Sequence, residues 1–184
     1  DIDVEKTYQE NIKSVLIKLE TGEVIPESDF NEKLNIDGFE IKSMANDSEL
    51  GKAIEGSKDI AGIKRQPKYM VIYKVIENNE VKKTIFPLYG KGLRSTMYGF
   101  IALGQDFKTI EGFTFYEHGE TPGLGGEVDN PKWKGLWVGK QAYDEAGNVI
   151  IEVLKGQVDT SSPKANRQID GLSGSTLTSR GIDN

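Results

Sequence analysis

Two β-rich runs separated by Asn78-Asn79 constrain this chain most. Tyr69 to Glu77 and Val81 to Leu88 are dominated by β-branched and aromatic residues that suit a pleated, half-buried surface. The Asn pair between them tolerates the left-handed backbone of a tight hairpin turn. The pattern repeats. Tyr98 to Leu103 and Thr109 to Glu117 read as two strands joined by a turn at Gly104 to Phe107, and Asn148 to Leu154 reads as a fifth after Ala146-Gly147. Strands joined by short turns pair antiparallel, because parallel pairing needs a long crossover. The expected class is therefore α+β: a curved antiparallel sheet with flanking helices. No Gly-rich strand-to-helix turn of the Rossmann or P-loop type is present.

Before Lys68 the character differs. Val4, Tyr8, Ile12, Val15, Leu16 and Leu19 recur at helical spacing and predict an amphipathic N-terminal helix ending before Gly22. Ser28 to Leu34 predicts a short helix capped by Ser28 or Asp29. Gly38 to Pro67 reads as polar loops with short elements. The expected organisation is a helical and polar region over residues 1–67, packed on a main domain over 68–184 as one compact unit.

Composition narrows the function classes. A net charge of −6 with no basic run argues against a nucleic-acid partner. The chain has no cysteine, which excludes disulfides, thiolate metal sites and iron–sulfur clusters built from it. One histidine, His118, cannot make a His-rich zinc site, and its acidic neighbours Glu117 and Glu120 point to different faces, so no metal site is expected. No stretch approaches the roughly 20 apolar residues of a membrane span; the run Val149 to Leu154 is strand-sized and broken by Glu152.

Two strings can carry chemistry. Asp170-Gly171-Leu172-Ser173-Gly174-Ser175-Thr176-Leu177-Thr178 sets hydroxyls in a glycine-flexible turn at the predicted start of a helix. Free N–H groups there suit a phosphate, and a threonine hydroxyl can carry one as an ester. The plain alternative is a Ser/Gly-rich surface turn. The second string is Glu120-Thr121-Pro122-Gly123-Leu124-Gly125-Gly126. Glycines let backbone approach a ligand closely, so the loop can offer a flat ring both polar backbone groups and an apolar face. A tight surface loop is the alternative. Trp133 is a candidate wall for such a ring, although buried tryptophan is more often core. Lys155 can place positive charge near it, or be a solvated lysine.

Read together, the hydroxyl string and the stretch from Phe115 to Glu127, followed by Asn130-Pro131-Lys132-Trp133, resemble the NqrC family, a component of the bacterial sodium-translocating NADH:quinone oxidoreductase. The related RnfG component of the Rnf electron-transport complex shares the motif. The resemblance implies FMN held by a phosphoester to a threonine, here Thr176. It also implies contacts from Ser173, Gly174, Ser175, Leu177, Thr178, Glu120, Thr121, Gly123, Leu124 and Gly125. The family motif reads Ser-Gly-Ala-Thr; Ser175 stands here in the Ala position. Gly90 to Gly99 also resembles the sodium-pump family, but Arg94 stands where an aromatic Trp is common.

Several further expectations come with the resemblance. Members carry an N-terminal transmembrane helix and a helix after the hydroxyl motif, and both are expected to be absent from this chain, the second at least in part. The domain is expected on the periplasmic side of the bacterial inner membrane, as an electron carrier beside other subunits of the complex. Nothing near Thr176 in sequence is an obvious base, so the chain is not expected to attach the flavin itself; the resemblance implies a separate magnesium-dependent flavin transferase that uses FAD. An Rnf-type component and a noncatalytic extracytoplasmic binding module remain as alternative readings.

Overall fold

The computed structural model describes residues 11–175, Thr178 and Ile182. The chain divides into two compact units, residues 1–59 with 63–87, and residues 60–62 with 88–184. The boundary expected at Lys68 falls inside the first unit.

In the first unit, β1 (Ile12–Lys18) pairs antiparallel with β4 (Tyr69–Glu77), with Leu16 opposite Val71. These two residues form a buried cluster with Leu34, joined by Phe30, Phe39, Leu50 and Tyr73. The helix expected over residues 4–19 is thus corrected where it is described: Ile12 to Lys18 is a strand, while Val4 and Tyr8 lie outside the described residues. Ile12, Val15 and Ile17 are β-branched and lose side-chain freedom in a helix, and the edge of β4 supplies a ladder partner.

The other first-unit elements are short. The helix expected at Ser28–Leu34 shrinks to a 3-10 turn at Glu27–Asp29. Helix α1 (Ile41–Asn46) is capped by Glu40, whose carboxylate accepts from the N–H groups of Lys42 and Ser43. Strands β2 (Gly51–Ala53) and β3 (Arg65–Pro67) make a small antiparallel pair.

Strand β5 (Glu80–Lys91) returns from β4 through Asn78 and Asn79, whose φ angles of 52° and 63° are those of the tight hairpin turn. In the second unit, β6 (Thr96–Gly104) and β7 (Ile110–Glu117) pair antiparallel. The sheet order is β1-β4-β5-β6-β7, the curved antiparallel sheet expected.

The fifth strand expected at Asn148–Leu154 is not part of that sheet. Only Glu152–Val153, β8, is a strand, and it runs parallel to β9 (Gln168–Ile169). Val149 instead bridges Tyr143 and is 65% exposed. Lacking a buried face, that end of the run has nothing to hold it in a ladder.

The core of the second unit sits under β6 and β7. Met97, Ile110, Val128 and Ile169 are buried there. Helix α2 (Pro131–Gly135) begins at Asn130, whose side chain accepts from the N–H of Lys132. It brings Trp133 onto Phe113. Trp137 follows and stacks on the same ring, with centroids 3.9 Å apart and planes within 5°.

Candidate functional site

The site lies in the second unit, where the loop after β7 meets the loop joining β5 to β6. Glu120 is its hub, only 6% exposed. Its Oε1 accepts from the N–H groups of Arg94 (2.9 Å) and Ser95 (3.0 Å) and from the Ser95 hydroxyl (3.3 Å). Its Oε2 accepts from the N–H of Leu93 (3.2 Å) and from the hydroxyl of Thr178 (2.6 Å). Successive N–H groups converging on one point make an anion-binding nest. Here the protein's own carboxylate fills it. Burial alone would push the Glu120 carboxyl up. The Thr178 hydroxyl and the N–H groups of Arg94, Ser95 and Leu93 outweigh that and hold it below its ordinary value.

Glycines make room for this carboxylate. A Cβ on Gly92 would lie 2.6 Å from Oε1 of Glu120. One on Gly125 would lie 2.7 Å from the Thr178 hydroxyl and 2.8 Å from Oε2 of Glu120. Gly119 donates its N–H to the Ser95 hydroxyl at 2.7 Å, which turns that hydroxyl's own proton toward Glu120. Beside the hub, His118 accepts at Nδ1 from the N–H of Glu120, so in the neutral ring Nε2 donates to Asp129 at 2.8 Å.

The loop over the hub is built by Thr121. Its carbonyl accepts from the N–H groups of Leu124 and Gly126, and Gly123 takes φ +74° at the bend. The bend lifts Leu124 to the surface, 45% exposed. There it reaches the hydroxyl string, since a Cβ on Gly174 would sit 2.9 Å from Leu124 Cδ2. Leu93, 52% exposed, is a second apolar side chain flanking the nest.

The hydroxyl string is pinned along its length. The Trp133 indole N–H donates to the carbonyl of Asp170 at 2.9 Å. The Asp170 carboxylate accepts from the N–H of Val158 at 2.7 Å. Gly171 passes so close to the β8 end that a Cβ would lie 2.0 Å from the Leu154 carbonyl. Gly174 takes φ +71°, and Ser175 donates its N–H to the Leu172 carbonyl. Ser175 is buried, Ser173 and Gly174 are not, and Thr178 has no exposed surface. Lys155 is exposed beside Gly171. Thr176 and Leu177 lie outside the described residues.

The structure thus brings Glu120, Gly125 and Thr178 into contact, and Leu124 with Gly174. Trp133 lies in the core and reaches the string through its ring nitrogen. Trp137 lines a cavity of about 190 Å³ with Met97, Phe113, Phe115 and Ile151, and its ring nitrogen finds no acceptor among the described residues. Sequence reasoning singled out Gly90 to Gly99 but not the nest that Leu93–Ser95 form around Glu120.

Residues 92–184 match the FMN-binding domain family. That is the class this loop-and-string site defines. Over 182 residues the chain is 46% identical to the C subunit of the Na(+)-translocating NADH-quinone reductase of Pseudomonas aeruginosa, spanning 99% of this chain and 67% of that one. It is 40% identical to the same protein of Vibrio alginolyticus, over 97% of this chain and 66% of the relative. The crystal structure of Shewanella oneidensis NqrC superposes with a TM-score of 0.84 at 35% identity, covering 97% of this chain and 77% of that one. The chain belongs to the NqrC family of the Na(+)-translocating NADH-quinone reductase, and spans about two thirds of the length of these curated relatives.

Proposed function

We propose that this chain is an electron-carrying domain whose FMN is joined by a phosphoester to Thr176, on the periplasmic face of a sodium-pumping NADH:quinone oxidoreductase. The observation that carries the choice of threonine is the state of Thr178. Its hydroxyl is fully buried and engaged by Glu120, so it is withdrawn from competition as an acceptor. Thr176 lies in sequence between Ser175 and Thr178, both held against the domain.

The residues present fit the cofactor. Gly92 and Gly125 leave room for the Glu120 carboxylate that supports the string, and Leu93 and Leu124 offer exposed apolar surface beside it. FMN supplies reversible one- and two-electron chemistry when bound. The chain's own part is to orient and to hold. Leu93 and Leu124 would pack on the ring system, Gly174 and Ser173 would offer backbone and hydroxyl groups to the phosphate, and Lys155, exposed beside Gly171, would add positive charge. Glu120 has its acceptor positions filled by protein donors, which makes it a support rather than a direct contact.

Attachment falls to a flavin transferase. The Thr176 hydroxyl attacks the flavin-side phosphorus of FAD, a new P–O bond forms, the anhydride P–O bond breaks, AMP leaves, and the hydroxyl proton passes to a base on the transferase. A covalent link suits a site outside the cytoplasm, where a dissociated flavin would be lost. Among the described residues no helix is long and apolar enough to cross a membrane. Electron exchange is assigned to neighbouring subunits of the complex. The test is intact mass after expression with and without the transferase. A gain of one FMN less one water with the transferase supports the reading, and no gain refutes it.

A further inference from the structure

Glu120 stands 58 residues before Thr178 in sequence, yet it is the group that closes the hydroxyl string onto the domain. Its five contacts among the described residues are all neutral donors: three backbone N–H groups, the Ser95 hydroxyl and the Thr178 hydroxyl. Four of them belong to the β5–β6 loop and are fixed by that loop's own fold, including the bond from the Gly92 N–H to the Ser95 carbonyl at 2.8 Å. Thr178 alone belongs to the string. The carboxylate is therefore a bridge with one rigid end and one end that sets where the string lies.

The string has a matching anchor on its other side. The Ser175 N–H is tied to the Leu172 carbonyl, and Leu172 and Ile169 are buried. Two residues, Thr176 and Leu177, separate Ser175 from Thr178. Ser175 and Thr178 are thus both held against the domain by bonds to its own groups. The clearance for the bridge is built in, because a Cβ at Gly92 or Gly125 would strike the Glu120 carboxylate within 2.8 Å.

We propose that Glu120 is a positioning residue for flavin attachment: its carboxylate holds the Thr178 hydroxyl against the β5–β6 loop, and both the attachment at Thr176 and the hold on the attached flavin depend on that bond. The proposal rests on the reading of Thr176 as the FMN-bearing residue. A carboxylate is suited to the task because it accepts on both oxygens at once. Glutamine in its place leaves at least one of the Leu93, Arg94 and Ser95 N–H groups facing an amide N–H, so the two-sided acceptance that makes the bridge is lost.

The test uses the whole chain, a purified flavin transferase and FAD with magnesium. It follows the rate of covalent FMN gain by intact mass, and then the fluorescence anisotropy of the attached flavin. Glu120→Gln and Thr178→Val remove the bridge; Thr178→Ser keeps the hydroxyl. The expected result is a fall in rate of about tenfold or more for Glu120→Gln and Thr178→Val. Their attached flavin has lower anisotropy, and Thr178→Ser recovers to within about twofold of the parent on both readouts. Rates and anisotropies in all three variants equal to the parent overturn the proposal while leaving the attachment reading intact. So does unfolding of both bridge-removing variants with Thr178→Ser folded, since that marks a purely structural role. No FMN gain by the parent chain overturns the attachment reading itself.

Discussion

The Thr178 hydroxyl donates to Oε2 of Glu120 at 2.6 Å, joining the end of the hydroxyl string to the loop that leaves β7. Both residues are buried, so the bond is shielded from water. A hydrogen bond to a charged acceptor in such a place contributes about 1.5–3 kcal/mol. Crowding around it is the first thing to test. Gly125→Ala would press a methyl against both partners, and overpacking of this kind costs about 1–3 kcal/mol. Urea unfolding should show that loss. It should shrink when Gly125→Ala is placed on a Thr178→Ala background, where the hydroxyl it strikes is gone. An equal loss on both backgrounds would contradict the contact.

The two tryptophans are predicted to differ. Trp133 donates its ring N–H to the Asp170 carbonyl, whereas the Trp137 ring nitrogen is buried without an acceptor among the described residues. Trp133→Phe strands a carbonyl at a cost of about 1–3 kcal/mol, beyond the loss of ring volume. Trp137→Phe keeps the stack on Phe113 and removes an unsatisfied donor. Chemical denaturation should therefore find Trp133→Phe the more damaging change. The reverse order would show that ring volume, not hydrogen bonding, decides these positions.

Stability at low pH should report on Asp106. Its carboxylate accepts from the Thr109 hydroxyl first, then from the N–H groups of Thr109 and Lys108, and these hold it at about 2 against an ordinary 3.8. A depressed carboxyl contributes stability that is present above its unfolded pKa and lost as pH falls through the folded one. The stability gap between the parent and Asp106→Asn should thus be widest above about pH 4 and should close toward pH 2. Glu120 is lowered too, and its gap to Glu120→Gln should close in the same direction. Gaps independent of pH would rule out these carboxylates as the cause.

The hairpin can be improved. Asn79 holds φ 63°, a conformation that glycine adopts without strain. Asn79→Gly completes the Asn-Gly pair that the turn prefers and is expected to raise stability by about 0.5 kcal/mol. A thermal melt that falls instead would show the Asn79 side chain to be needed.

The hairpin was legible because turn and strands spoke together: two Asn between β-branched runs have few other solutions. Residues 12–19 misled, because Ile12, Val15, Leu16 and Leu19 fit a helical period as well as they fit β1. What decided them was the free edge of β4, a partner that lies more than fifty residues away. Residues 148–154 misled in the opposite way. The run is strand-like, but only two of its residues find a ladder partner. At the site, the glycines and hydroxyls marked the right loops. The role of Glu120 was hidden, since an acid in a glycine-rich loop does not reveal that donors from Leu93 to Ser95 fold around it.

The account stands most directly on the identity of the modified residue. The chain would be expressed with the flavin transferase, digested, and mapped by tandem mass spectrometry beside its Thr176→Ala variant. One FMN on the peptide that contains Thr176, localised to that residue and absent from Thr176→Ala, is the predicted result. FMN on Ser173 or Thr178, or retained in Thr176→Ala, would contradict it.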